Sequence, residues 1–206
     1  ASQARGASVR LLLTGLCLQG NKGGPALAAS LLAQLRTCFD APRVTMAVPA
    51  PELERERSWA PTYGVAVVPE YNLLYGSAAE RLGRPFRGQD PAWARAYLEA
   101  LRTADLVVDL SGVSYVGAPV GRWRHVLAST RFKAAWLARR ARIPFLAWTQ
   151  SYGPFGDPVT RGLARWDLGA LPSVHCRGED CATAVRALLP RAEVTSFPDV
   201  AITLPW

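Results

Sequence analysis

Two hydrophobic rhythms alternate along the chain. Strand-like segments recur at Val9 to Thr14, Val44 to Val48, Leu106 to Leu110, Phe145 to Thr149, Ser173 to Cys176 and Glu193 to Phe197. The first is a compact apolar run of the kind found in parallel strands covered on both faces. Between them, apolar residues fall at helical spacing. Leu27, Leu31, Leu35 and Phe39 repeat every four residues, Trp93, Tyr97 and Leu101 share a face, and Ala182, Val185 and Leu189 do the same near the end. Further helices are predicted through Phe132 to Ala138 and through Leu163 and Trp166. Pro25, Asp90-Pro91 and Asp157-Pro158 read as helix starts, because proline tolerates the first helical position and aspartate caps it. The stretch from Glu52 to Gln89 breaks the rhythm. It is rich in Pro, Gly, Arg and Tyr, offers one short strand at Val65 to Val68, and otherwise reads as a mobile excursion over the substrate face.

This alternation predicts an α/β fold with right-handed crossovers: a Rossmann-like, doubly wound parallel sheet in a single domain spanning residues 1–206. Ligands of such sheets lie beyond the carboxyl ends of the strands, so the loops there are where chemistry is expected.

Composition narrows the choice of partner. Half of the 206 residues are hydrophobic, enough for a sizeable core. The formal net charge is +8, from 24 Lys and Arg against 16 Asp and Glu. A basic surface favours phosphate-bearing substrates or the anionic inner face of a membrane, where peripheral contact is expected. The arginines are dispersed, with no dense basic run, so nucleic acid is not expected as a partner. Cys17, Cys38, Cys176 and Cys181 show no CxxC spacing, and His175 beside Cys176 does not complete a zinc set. They read as free, mostly buried thiols in a cytoplasmic protein that needs no metal or cofactor. Arg10 followed by an apolar run has the look of a signal-peptide core. The glycine-rich Gly20 to Gly24 follows at once, which fits a first strand entering a loop better.

Four loops carry polar groups. Gly20-Asn21-Lys22-Gly23-Gly24 offers close backbone approach, a positive charge and the free amides of a helix start; it is neither GxGxxG nor a Walker loop. Asp109-Leu110-Ser111-Gly112-Val113-Ser114-Tyr115-Val116-Gly117 places a carboxylate at a strand tip, fit to orient a hydroxyl, act as a base or cap its own turn. Gln150-Ser151-Tyr152-Gly153-Pro154-Phe155 suits sugar hydroxyls or phosphate, or is an ordinary turn with a well-satisfied Gln. Arg177-Gly178-Glu179-Asp180 offers a guanidinium for an anion, or an ordinary ion pair with Glu179 or Asp180.

Taken in order with Pro198-Asp199-Val200-Ala201, these motifs resemble the polysaccharide pyruvyl transferase family over nearly the whole chain. The resemblance implies the N-terminal half of a glycosyltransferase-B-like pair of Rossmann-type domains, with the second domain absent. It also implies transfer of a pyruvyl group from phosphoenolpyruvate to a glycan acceptor. On it, Asp109 is the candidate base. Lys22 and Arg177 would contact anions with the amides of Gly23 and Gly24, and Asn21, Ser111, Gly112, Tyr115, Gln150, Ser151 and Gly153 would complete substrate binding. Pro25 and Gly117 depart from the pattern at positions where an acid or polar residue is expected, and His125 is a distant candidate for the acid. Two other readings stay open: a nucleotide-sugar glycosyltransferase half, and a non-catalytic carbohydrate- or anion-binding module.

Overall fold

Strand β1 (Arg10–Thr14) is the middle of a parallel sheet, and its burial follows from its sequence. Leu11, Leu12 and Leu13 are each at most 2% exposed, and successive side chains of a strand point to opposite faces, so both faces must be covered. The computed structural model describes residues 8–20, 23–71, 91–115, 130–148 and 150–199. Among them, six helices flank the strands. In chain order, β1 is followed by α1 (Gly23–Cys38), β2 (Arg43–Val48), α2 (Leu53–Tyr63), β3 (Ala66–Pro69), α3 (Pro91–Thr103), β4 (Leu106–Asp109) and β5 (Val113–Ser114). Then come α4 (Thr130–Ala141), β6 (Phe145–Ala147), β7 (Ser151–Tyr152), α5 (Pro158–Leu168), β8 (Ser173–Arg177), α6 (Glu179–Leu188) and β9 (Glu193–Phe197).

The central sheet runs β3-β2-β1-β4-β6, every pair parallel. Just past β6, Gln150 pairs in parallel with Cys176 of β8, which itself pairs with β9, so the sheet continues outward through that bridge. Sequence order reverses beside β1, as in a doubly wound Rossmann-like fold.

Two cores follow from the alternation of the strands. Leu11 and Leu13, with Val44, Met46, Val48 and Val108, meet α1 and α2 through Leu31, Leu32, Leu35, Leu53 and Ala60. Leu12, Ala47 and Val107 face the other way, onto Tyr97 and Leu101 of α3 and Leu137 and Ala138 of α4. A third cluster joins α5 and α6 to β8 through Ala164, Leu168, Val174, Ala182 and Val185. Burying each such leucine is worth about 1.5–3 kcal/mol against leaving it in water.

The expected elements appear with three differences. Residues 53–63 of the stretch read as an excursion form α2, which buries Leu53, Glu56 and Ala60 and ends at Gly64, whose φ of 64° admits the left-handed cap. Helix α1 begins at Gly23, so Pro25 is its third residue, where a backbone N–H would still lack an intrahelical acceptor. Of the four cysteines, only Cys176 is buried; Cys17 and Cys181 are partly exposed and Cys38 is exposed, so the expectation of mostly buried thiols is corrected. Among the described residues, no helix is long and apolar enough to cross a membrane.

Candidate functional site

The carboxyl ends of β1, β4, β6 and β8 bring polar residues together. Asp109, the last residue of β4, is fully buried. Its Oδ1 accepts hydrogen bonds from Thr14 Oγ1 and Ser111 Oγ, each at 2.8 Å. Gln150 Nε2 donates to its Oδ2 and, at 3.0 Å, to its backbone carbonyl. Arg131 NH1 stands 3.6 Å from Oδ2. Buried polar groups have to be paired, and this carboxylate is paired on both oxygens. The hydroxyls that Asp109 orients belong to its own chain, and no face of it meets solvent.

The hydrogen bonds run on from Gln150. Its Oε1 accepts from Ser114 Oγ at 2.9 Å and from Arg131 NH1 at 3.4 Å. Arg131 is 1% exposed and its NH2 donates to Asp167 Oδ2 at 2.9 Å, while Arg139 NH2 binds Asp167 Oδ1 at 2.8 Å. Tyr115 donates its hydroxyl to the same carboxylate. The Arg131 guanidinium also lies over the rings of Tyr115, Phe145 and Tyr152, 5.2–5.9 Å from their centroids. Burial alone would weaken its hold on the proton, but the surrounding phenols and carboxylates more than offset that, leaving its pKa raised. Burial, reinforced by Asp167, keeps the Tyr115 hydroxyl protonated.

A second cluster is half-exposed. Arg177, ending β8, donates from Nε to Ser151 Oγ at 3.0 Å and from NH1 to Asp199 Oδ2 at 2.8 Å. Its ion pair is with Asp199 rather than with Glu179 or Asp180, and Glu179 instead pairs with Arg186.

The two clusters place most of the expected residues. Ser111, Gly112, Tyr115, Gln150, Ser151, Gly153 and Arg177 all line the strand ends, with Ser151 N–H bonded to the Gly112 carbonyl at 2.9 Å and Gly153 N–H to that of Ser114 at 3.1 Å. Gly23 and Gly24 open α1, whose first turn carries no acid. Asn21, Lys22, Gly117 and His125 lie outside the described residues. The loops after β1 and β4 touch: a Cβ on Gly15, whose φ is +74°, would stand 2.5 Å from Ser111 N and 2.6 Å from Ser111 Cα. The crevice at the topological switch point is thereby closed at that level.

Sequence reading missed Lys133, Arg131, Asp167 and Thr14. Lys133 is 6% exposed and borders a void with Thr14, Glu70, Tyr71 and Tyr97 at the ends of β1 and β3. The void is too narrow to seat a water molecule as it stands. No ion pair among the described residues includes Lys133, and burial lowers its pKa, opposed by the charge of Glu70. The signal was its helix. In α4, Arg131, Ala134, Ala135 and Ala138 form the buried face at i, i+3, i+4 and i+7, so two cations fall in or beside a core register.

Strand order, crossovers and the polar carboxyl edge define a Rossmann-like α/β domain. No family model matches the chain, and no curated protein matches it. Among solved structures, the crystal structure of the NADPH-dependent 3-quinuclidinone reductase from Rhodotorula rubra is similar over 89% of this chain and 79% of that one. The identity is 14% and the TM-score 0.39. The expectation of pyruvyl transfer from phosphoenolpyruvate is corrected on the chemistry of the site. The buried, fully paired Asp109 leaves no open carboxylate for the base that this reaction was to use. A likeness this low transfers neither the reductase's cofactor nor its reaction.

Proposed function

We propose that this chain is a small-molecule-binding Rossmann-like domain whose ligand carries an anionic group to Lys133 at the carboxyl edge of the sheet. The observation that carries this reading is the buried Lys133 itself, facing Thr14, Glu70, Tyr71 and Tyr97, within the field of the Glu70 charge and in no ion pair among the described residues. Holding an ammonium out of water costs free energy unless a charge or hydrogen bonds compensate it. An arriving phosphate or carboxylate supplies that compensation. Because the void is narrow, the ligand enters as the Tyr71 and Lys133 side chains shift. An amine that releases its proton more readily than free lysine also suits proton exchange with the ligand, so an enzymatic role takes the form of proton transfer at Lys133. A cluster of perturbed, buried titratable groups at strand ends is where such sites concentrate.

The test is ligand-linked stability. Thermal unfolding is followed with inorganic phosphate, a sugar phosphate, a nucleotide and NADPH, for the native chain and for Lys133→Met. A ligand present at a hundred times its Kd stabilises by about 2.7 kcal/mol. The expected outcome is stabilisation of the native chain by at least one of these anions, lost in Lys133→Met, which keeps the apolar stem and removes the charge. Equal stabilisation of both proteins, or of neither, rejects the reading.

A further inference from the structure

A second reactive group lies apart from Lys133, where β8 meets α6. Cys176 is fully buried on β8 and Cys181 is the third residue of α6, partly exposed. The Cys181 sulfur accepts the backbone N–H of Tyr152 at 3.0 Å, and its protonated form donates to the Gln150 carbonyl at 3.5 Å. Cys176 is held beside the same segment by its parallel backbone bridge with Gln150, whose carbonyl accepts the Arg177 N–H at 2.9 Å. The Tyr152 donor favours the anionic sulfur, as does the first turn of a helix, where free amides and the dipole present positive charge.

From this arrangement we infer that Cys176 and Cys181 form a peroxide-reactive dithiol, with Cys181 the attacking thiolate and Cys176 the resolving thiol. The Cys181 thiolate attacks the terminal oxygen of a hydroperoxide. An S–O bond forms, the O–O bond breaks, and the departing alkoxide takes a proton and leaves as an alcohol (as water, for hydrogen peroxide). The product is Cys181 sulfenic acid. Cys176 then gives up its proton and attacks the Cys181 sulfur. The S–S bond forms, the S–O bond breaks, and hydroxide leaves with that proton as water. Two thiols are oxidised and one peroxide is reduced.

The electrostatics point the same way. The Cys176 thiol, the Tyr152 and Arg177 amides and the Arg177 charge bring the Cys181 pKa down to about 7, against burial, which raises it. The same contact, with burial, pushes Cys176 up, so that it remains the protonated donor. Arg177, Arg186 and Glu179 are the charged groups that face the pair, and Arg186 and Glu179 neutralise one another in an ion pair. The Cys181 sulfur abuts the Gln150–Tyr152 segment and Cys176 pairs with Gln150 through the backbone, so a disulfide here would form against the residue that ties down Asp109.

The full chain is treated with hydrogen peroxide, digested and mapped by mass. The expected product is a peptide pair lighter by two hydrogens, joining Cys176 to Cys181, with exposed Cys38 as the internal reference for accessibility. In Cys176→Ser, a sulfenic-acid probe should label Cys181. On the native chain, the rate of Cys181 labelling by dithiodipyridine against pH should show a midpoint near 7, shifted down from the ordinary 9.0. Mapping needs no variant, so a misfolded Cys176→Ser protein would leave the test intact. No Cys176–Cys181 bond in the mapped native protein, or a labelling midpoint at or above the ordinary value, overturns the inference.

Discussion

Replacing Asp167 by alanine should be among the most damaging single changes in this protein. Its carboxylate is fully buried and accepts from Arg131 at 2.9 Å, from Arg139 at 2.8 Å and from the Tyr115 hydroxyl. Without it, Arg131, 1% exposed, retains Gln150 at 3.4 Å and Asp109 at 3.6 Å, neither a strong contact. Arg139 is less affected: its side chain is 25% exposed and rests on the Trp166 ring, 4.9 Å from the centroid. The cost is therefore that of leaving one buried guanidinium and one phenol unpaired. Breaking a buried pair from one side costs about 3–5 kcal/mol, a large share of the roughly 5–15 kcal/mol that holds a domain folded.

Urea denaturation gives the number directly, provided the m-value of Asp167→Ala matches that of the native chain. A second variant separates the worth of the pair from the penalty of breaking it. Arg131→Met with Asp167→Leu removes both charges and keeps apolar bulk, and such swaps are often neutral or stabilising. It should recover most of the loss. The reasoning is refuted if Asp167→Ala stays within about 1 kcal/mol of the native chain, the range of an exposed ion pair, because the network would then be hydrated rather than dry.

Two further perturbations probe the strand ends and the edge of the sheet. Gly15→Ala forces a side chain onto φ +74° and against the Ser111 backbone; the left-handed backbone costs about 1–2 kcal/mol and the overpacking about 1–3 kcal/mol. A variant as stable as the native chain in urea would mean that the β1 and β4 loops do not touch. His175 has Ser173 Oγ and Thr195 Oγ1 at 3.1 and 2.9 Å from its ring nitrogens and lies among Trp148 and Phe197, and burial lowers its pKa below the ordinary 6.5, opposed by Glu193. The unfolded chain then takes up a proton first on acidification, so this group's contribution to stability is present above pH 6.5 and declines as pH falls from there toward the folded value. An NMR titration of the His175 ring with a midpoint at or above 6.5 would contradict this.

The longer strands and most helices were legible because each obeys one strong local rule, whereas β5 and β7, two residues each, lie in segments read as loops. Leu11 to Leu13 cannot be anything but doubly covered, and Asp157 announces α5 by accepting the Thr160 N–H at 2.8 Å. Helix α2 was not legible for a physical reason. Its buried face is Leu53, Glu56 and Ala60, so a carboxylate interrupts the apolar period, and Pro61 adds a false stop within the last turn. Glu56 is tolerated there because it accepts the Leu18 N–H, a partner 38 residues away that no local window reveals.

The candidate site divides along the same line. Loop residues such as Ser111, Gln150 and Arg177 were found by topology, since strand ends must gather at one edge. Arg131 and Asp167 were missed because they stand on helices, in registers that otherwise hold alanine, leucine and one threonine. That placement was itself a signal. Arg131 shares its face with Ala134, Ala135 and Ala138, and Asp167 shares its own with Thr160, Ala164 and Leu168. Alanines leave space under a helix, and a charge in such a register must find its opposite within reach of that space or raise the free energy of the fold by several kcal/mol. Two opposite charges in the core registers of successive helices therefore predict each other. Lys133, two residues further along α4, has no such counterpart of its own in the core registers of α3 or α5, where Asp167 is taken up by Arg131 and Arg139; the charge acting on it is that of Glu70, after β3. That asymmetry within one helix turn is why the proposed anion contact falls to Lys133 and not to Arg131.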